Sequence, residues 1–261
     1  MRAITNALTG VIHNPPLQRE AVCEQHGAFA AKCYLGNVWT SCPACREEAD
    51  AKAAKEAERA AKDSRRLEWQ DMIGRSGIPE RFRDRTLPRF EASTPGQQAA
   101  LEFATAYADE FPEAMKSGRC AIFAGKPGTG KTHLAAGIGL RVMHKHGHSV
   151  LFTTALRAIR RVKDTWTRGS AENESQAVAS LVLPDLLVLD EVGLQYGSDA
   201  EKLILFDFLN ERYERRKPCI LLSNLNVDGV RQYLGDRIFD RLREDGGTAI
   251  PFDWDSYRGQ A

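Results

Sequence analysis

The sequence predicts an α/β fold, a parallel sheet flanked by helices, preceded by a small N-terminal unit and a helical linker. Two features of the chain support this prediction. From residue 120 onward, short apolar runs alternate with helix-length segments, which is typical of a parallel sheet covered on both faces. Four of the six cysteines crowd into residues 23–45, well before that pattern begins. Because one core saturates near ~250 residues, we expect one full domain and one small unit.

The N-terminal unit is predicted at residues 1–46. Its ligand-type side chains form two pairs with two residues between the members, Cys23 with His26 and Cys42 with Cys45. A hairpin signal at Gly36-Asn37 is expected to bring the pairs together. This spacing is typical of a closed zinc site, and a unit this small needs the metal for its folding free energy. We therefore expect a structural Zn²⁺, with Cys33 as the alternative to His26 for the fourth ligand.

Residues 47–74 are predicted to form a solvated helical linker. Ala, Glu, Lys and Arg dominate this stretch, and all four are strong helix formers. The alternative is a coiled-coil partner helix, but alanine at most seam positions makes a weak seam. The remaining residues, 75–261, are assigned to the main domain.

The main domain is predicted from its alternating pattern. Strands are expected at residues 120–124, 150–153, 186–189 and 219–222, and helices at 97–111, 131–146, 155–168 and 200–216. Cys120 and Cys219 lie alone in apolar runs and are expected to be buried thiols.

A glycine-rich segment directly follows the first of these strands. Residues 125–132 read Gly-Lys-Pro-Gly-Thr-Gly-Lys-Thr, which matches the phosphate-loop pattern G-x-x-x-x-G-K-[ST]. The glycines allow positive φ, so backbone N–H groups can turn inward at a helix N-terminus. Lys131 is expected to reach the β- and γ-phosphates of ATP, and the Thr132 hydroxyl to bind Mg²⁺. The predicted nucleotide-binding residues in this loop are Gly125, Pro127, Gly128, Thr129, Gly130, Lys131 and Thr132.

Two acids end the third apolar run, at the edge where ligands bind in parallel sheets. Asp190 is expected to hold Mg²⁺, and Glu191 to polarise the attacking water as general base. Asn224, after the fourth run, is predicted to sense the γ-phosphate. Alternatively it caps a helix beginning near Val227, a position for which Asn226 competes. Together with the phosphate loop, these residues predict a Mg²⁺-dependent ATPase.

Four motifs in this order carry a family resemblance. Residues 125–135 read GKPGTGKTHLA, 187–193 LVLDEVG, 221–225 LLSNL and 234–242 LGDRIFDRL. Over residues 75–261 the chain resembles the DnaC family of replicative helicase loaders, and IstB-type transposition helper ATPases are near relatives. The resemblance implies an AAA+ ATPase that loads a replicative DNA helicase onto single-stranded DNA, with hydrolysis coupled to its oligomeric state. The alternative is an IstB-like helper of a DNA transposase.

The resemblance also implies that Arg237 or Arg241 acts on the γ-phosphate of a neighbouring subunit. Their i, i+4 spacing puts both on one helical face, and we expect Arg241 to be the finger with Arg237 supporting it. A surface helix with alternating Asp and Arg is the alternative. Only residues 242–261 follow, too few for a C-terminal lid domain, so turnover is expected to depend on self-assembly.

A basic segment, residues 156–168, follows the second predicted strand, where initiator-type AAA+ proteins carry a DNA-binding element. The expected contacts to single-stranded DNA are Arg157, Arg160, Arg161 and Lys163, and Trp166 is expected in the core. The alternative is a solvated basic face.

The overall charge offers no other attraction for DNA. Lys and Arg total 36 against 35 Asp and Glu, a net charge of +1, so any DNA binding must come from a local patch. The longest apolar stretch, residues 181–189, falls far short of the ~18 residues of a membrane span. The first residues do not resemble a secretory signal, and we expect a cytoplasmic protein.

Overall fold

The computed structural model describes residues 16–35, 38–194 and 198–257. The chain divides into two compact units, residues 1–67 and 68–261, whereas the sequence predicted domain boundaries at 46/47 and 74/75. The predicted N-terminal tail before residue 16 and the hairpin tip Gly36-Asn37 lie outside the described residues.

The first unit contains a three-stranded antiparallel sheet and most of a long helix. Its strands are β1 (Leu17–Cys23), β2 (Gly27–Leu35) and β3 (Val38–Trp39), and the helix α1 is Pro43–Arg75. The β2–β3 pair matches the predicted hairpin, but β1 was not expected because the polar run Gln18-Arg19-Glu20 breaks any apolar alternation and five of its seven side chains are exposed. Helix α1 covers the whole predicted linker and has no buried residue. Neither it nor any other helix in the described ranges is long and apolar enough to cross a membrane.

The second unit alternates helices with strands. Its elements are α2 (Pro95–Asp109), α3 (Phe111–Ser117), β4 (Ala121–Gly125), α4 (Lys131–His146), β5 (Val150–Thr154), α5 (Ala155–Asp164), α6 (Glu174–Val182), β6 (Leu186–Asp190), α7 (Asp199–Glu214), β7 (Cys219–Ser223), α8 (Val227–Leu234), α9 (Asp236–Arg243) and β8 (Thr248–Phe252). The strands form one sheet in the order β5-β6-β7-β4-β8. Every pairing is parallel, which confirms the predicted parallel α/β sheet.

The sheet is buried on both faces. Phe123 and Val188 lie in a core with side chains of α2 and α4, while Ile122 and Leu189 lie in a second core with side chains of α5 and α7. Because successive strand residues point to opposite faces, burial of both faces makes the central residues of these strands apolar, while polar residues lie at their ends. Cys120 and Cys219 are buried in the second core, as predicted.

Helix α5 ends earlier than predicted. It stops at Asp164 rather than at residue 168, and the Thr165 hydroxyl donates to the Val162 carbonyl at 2.6 Å, which diverts that acceptor from the helix. The expectation that Trp166 lies in the core is wrong, since its side chain is 54% exposed. Its indole N–H donates to Glu174 at 2.7 Å.

Strand β8 was missed in the sequence because Pro251 interrupts its apolar run. A proline is tolerated here since β8 is the edge strand and pairs only with β4. This pairing places the end of β8 beside the end of β4, where the phosphate loop begins.

Arg212 of α7 is fully buried and connects three elements. Its guanidinium donates to main-chain carbonyls that end α6 or precede β6 and β7, those of Leu181, Val182, Pro184, Asp185 and Pro218. The last carbonyls of a helix lack partners within it. Arg212 therefore caps α6 and ties it to the starts of two central strands.

Candidate functional site

The phosphate loop lies between β4 and α4 and takes its shape from glycines. Gly125, Gly128 and Gly130 have φ of 139°, 77° and 93°, values that residues with a Cβ rarely adopt. Space is also tight, because a Cβ on Gly125 would lie 2.2 Å from the Phe252 carbonyl oxygen, and one on Gly130 would lie 2.5 Å from the Phe90 ring.

The basic side chain of the loop lies against its own backbone. Lys131, the first residue of α4, is 6% exposed, and its Nζ donates to the carbonyls of Gly125 and Lys126 at 2.7 Å each. Thr129 is buried, with its hydroxyl donating to the Lys126 carbonyl at 2.8 Å, and Pro127 is exposed. The ammonium group is therefore held at the loop where phosphate would bind.

The structure brings together the two residues predicted to hold Mg²⁺. The Thr132 hydroxyl donates to Asp190 Oδ2 at 3.2 Å across 58 positions of sequence. Burial raises the pKa of Asp190, against the opposing effects of the Glu191 N–H and the Thr132 hydroxyl. Hydroxyl and carboxylate oxygens are hard ligands of the kind Mg²⁺ takes, so these residues fit that ion.

Glu191 leaves β6 in an unusual conformation. Its φ is 60°, and its N–H donates to Asp190 Oδ1 at 2.7 Å. A residue with a Cβ in this region stores strain of the kind found at functional sites. The Glu191 side chain is exposed, at the edge of the sheet that also carries Asp190.

Asn224 lies just beyond β7, the neighbour of β6, and its side chain is exposed. The cap of α8 belongs to Asn226, whose side chain accepts from the Gly229 N–H at 2.8 Å. Asn226, and not Asn224, therefore caps α8.

The two arginines of α9 have different surroundings. Arg237 is exposed, and its guanidinium lies 5.4 Å from the centroid of the Phe206 ring. Arg241 is half-buried, 4.9 Å from the centroid of the Tyr213 ring, and its Nη1 is buried without a hydrogen-bond partner among the described residues.

The N-terminal cysteines form a cluster with one histidine. One ligand atom from each of Cys23, His26, Cys42 and Cys45 lies within 4.8 Å of the others, which fits a tetrahedral site with bonds of about 2.0–2.3 Å. Cys33 is buried and is not in this group. Because thiolate sulfur and imidazole nitrogen are the ligands zinc prefers, these residues fit Zn²⁺.

Two thiols of the cluster differ in acidity, because the contact with Cys23 and burial raise the pKa of Cys45 to about 11. The main-chain N–H groups of Gln25 and His26, followed by the Cys45 and His26 side chains, lower the pKa of Cys23 to about 6. His26 Nδ1 lies 3.2 Å from Cys45 Sγ, and its Nε2 lies 3.1 Å from Glu48 Oε1. A carboxylate behind a ligating histidine orients the ring. Sequence reasoning missed Glu48, although its place three residues after Cys45 on α1 was a usable signal.

The predicted DNA contacts on α5 divide into two pairs. Arg161 donates to both carboxylate oxygens of Glu172, at 3.0 and 2.8 Å, and Lys163 pairs with Glu201 at 3.3 Å. Arg157 and Arg160 are exposed and form no ion pair within the described residues. These two are the cations that remain available to a polyanion.

The fold and the site define a P-loop ATPase of the AAA+ class. Residues 56–261 match the family model described as IstB-like ATP binding protein. The chain is 35% identical over 197 residues to the replicative helicase loader DnaC of Buchnera aphidicola subsp. Acyrthosiphon pisum, covering 76% of this chain and 78% of that protein. With DnaC of Escherichia coli K12 it shares 36% over 199 residues, covering 76% and 79%. The chain belongs to the IstB-like ATP-binding family and is a DnaC-like member of it.

Solved structures agree on the fold. A crystal structure of the DnaC helicase loader superposes with a TM-score of 0.60 at 22% identity, covering 66% of this chain and 99% of that one. A crystal structure of DnaI gives 0.56 at 20% identity, covering 68% and 93%. The predicted AAA+ fold is confirmed.

Proposed function

We propose that this protein uses Mg²⁺ and ATP to load a replicative DNA helicase onto single-stranded DNA. The observation that carries the proposal is the Thr132–Asp190 contact of 3.2 Å, which joins the phosphate loop to the acidic strand in a chain 36% identical to a helicase loader. In this proposal the protein works in the cytoplasm, the compartment expected from the sequence.

In this proposal the loop N–H groups and Lys131 hold the phosphates of ATP, while Thr132 and Asp190 hold the magnesium. The ion, when bound, neutralises charge that develops on the β- and γ-phosphates. Glu191 orients and deprotonates the attacking water, and Asn224 hydrogen-bonds the γ-phosphate. The exposed position of Glu191 at the edge carrying Asp190 supports this division of roles.

We assign the arginine finger to Arg241, with Arg237 in support, acting on ATP bound by a neighbouring copy. The Nη1 of Arg241 has no hydrogen-bond partner among the described residues, which supports this assignment: a buried donor without an acceptor is costly, so the guanidinium loses little when it turns outward to a phosphate. A guanidinium delivered to the transition state contributes a factor of about 10³–10⁵ in rate. Hydrolysis is in this way coupled to self-assembly.

Two surfaces contact the other partners. Exposed Arg157 and Arg160 on α5 bind phosphates of single-stranded DNA, and Arg161 and Lys163 reach DNA only by releasing their carboxylate partners. The zinc-stabilised N-terminal unit binds the helicase. The role of the zinc is structural, because four protein ligands would fill its tetrahedral coordination and leave no open position.

The test is the ATPase rate measured alone, with single-stranded DNA, and with the purified host helicase. We expect both additions to change the rate, and Glu191→Gln to bind ATP with little turnover. The exposed Glu58→Gln on α1 serves as the matched control. The proposal is contradicted if adding helicase and DNA leaves the ATPase rate unchanged and if the protein does not change how much helicase is bound to the DNA.

Subunit cooperation is tested separately. Neither Arg241→Ala nor Lys131→Ala should hydrolyse ATP alone, but their mixture should recover part of the activity if one copy supplies the arginine and the other the nucleotide. No recovery at any mixing ratio contradicts a finger that acts between copies.

A transposition helper is the second candidate, favoured by the IstB-like family match. Such a protein would bind a transposase and remodel duplex DNA. Pull-down with purified helicase and with purified transposase distinguishes the two candidates, since each predicts retention of only one partner.

A further inference from the structure

The segment that follows β8, residues 253–257, lies directly on the phosphate loop. The Trp254 indole N–H donates to the Thr129 carbonyl at 3.0 Å, and the Tyr257 main-chain N–H donates to the Gly128 carbonyl at 3.0 Å. Two consecutive carbonyls of the loop are therefore held from the same segment of chain.

These two bonds also fix the direction of two N–H groups. In a trans, planar peptide the C=O of one residue and the N–H of the next point in opposite directions. With the carbonyls of Gly128 and Thr129 directed at the C-terminal segment, the N–H groups of Thr129 and Gly130 point away from it. Neither N–H has an acceptor among the described residues.

The sheet order shows what lies on the far side. Strand β4, which leads into the loop, has β8 on one side and β7 then β6 on the other. The C-terminal segment continues from β8, whereas Asp190 ends β6. The N–H groups of Thr129 and Gly130 thus point away from β8, toward the side of the loop on which Asp190 lies.

The segment is itself well anchored. The Trp254 ring packs 4.7 Å from the Phe252 ring, centroid to centroid, and against Gly96, where a Cβ would lie 3.3 Å from the indole. The Tyr257 hydroxyl donates to the Glu91 carbonyl. By contrast, the Asp255–Lys126 pair at 3.8 Å is exposed on both sides and contributes little.

We propose that Trp254 and the Tyr257 main chain are positioning elements for ATP, which set the phosphate loop in the form that binds the triphosphate. The inference rests on the ATP-binding role proposed above. It assigns no contact with ATP to Trp254, which acts only through the Thr129 carbonyl. The loop is preorganised from outside, so less ordering is needed when the nucleotide binds.

The test compares Trp254→Phe, which puts a smaller aromatic ring in place of the indole and loses the N–H, with Trp166→Phe, which makes the same change at an exposed indole whose N–H bonds to Glu174. We measure KM and kcat for ATP, and displacement of a fluorescent ATP analogue by inorganic tripolyphosphate. For Trp254→Phe we expect KM and the tripolyphosphate dissociation constant each to rise about three- to tenfold, the range of one lost hydrogen bond. We expect kcat within about twofold of the parent, because binding is lost equally in ground and transition states, and no change in Trp166→Phe.

Three outcomes would overturn the inference. A lower melting temperature with unchanged ATP and tripolyphosphate binding means that Trp254 only stabilises the fold. Weaker ATP binding with unchanged tripolyphosphate binding means that the ring contacts the base instead. A parent protein that binds no ATP removes both this inference and the proposed function, whereas the first two outcomes leave the proposed function intact.

Discussion

Replacing Arg212 with methionine is expected to destabilise the second unit by about 3 kcal/mol. Methionine fills much of the buried volume but cannot donate, so the carbonyls of Leu181, Val182 and Pro184, each 2.9 Å from Nη1, lose their donor. A buried carbonyl left unsatisfied costs about 1 kcal/mol or more, which gives the total for three. For a unit of this size the thermal midpoint falls by roughly 6–12 °C.

The assay is urea unfolding at neutral pH, followed by circular dichroism. Arg215→Met is the matched control, because Arg215 lies at the end of the same helix but is exposed and pairs with Glu211 at the surface. That variant should lose no more than about 0.5 kcal/mol. A loss below about 1 kcal/mol in Arg212→Met would refute the view that this guanidinium caps α6 and ties it to the sheet.

Three further outcomes are expected. Burial raises the pKa of Asp185, but hydrogen bonds from Lys217 and Ser149 outweigh it and lower the pKa to about 2. The ionised carboxylate therefore contributes about 2 kcal/mol to the unfolding free energy above pH ~4, and this contribution is lost as the pH falls toward 2. In Asp185→Asn the unfolding free energy should not show that decline in acid. Glu48→Gln should weaken zinc binding about tenfold or more, measured by chelator competition, and unchanged affinity would remove its orienting role. Arg157→Glu with Arg160→Glu should reduce the salt dependence of single-stranded DNA binding by about 1.4 in log–log slope, and an unaltered slope would place the DNA elsewhere.

The central site was predictable because its parts follow local rules. The phosphate loop is a contiguous pattern, and Asp190 ends an apolar strand. Parallel strands present their carboxyl ends at one edge, so a contact between Thr132 and Asp190 followed from the predicted sheet. The pairing of cysteines with His26 was likewise readable from spacing on each side of a hairpin.

The supporting contacts were not predictable, for a physical reason. Arg212, Trp254 and Tyr257 act on main-chain carbonyls of segments remote in sequence, and a carbonyl is present at every residue. No side-chain pattern therefore marks either partner. The surroundings of Arg241 were not predictable either. Its spacing from Arg237 shows only that both lie on one helical face, whereas its packing on Tyr213 depends on where α7 lies.

The edge position of β8 bears on how the protein is made. Ala121 of β4 pairs with Thr248 of β8, so during synthesis β4 is complete long before its partner leaves the ribosome. Until then one side of an entirely apolar strand has open N–H and C=O groups, a template for aggregation. The nascent chain therefore keeps one open side of β4 until β8 is made, and chaperone capture should persist on translation products that end between β7 and β8.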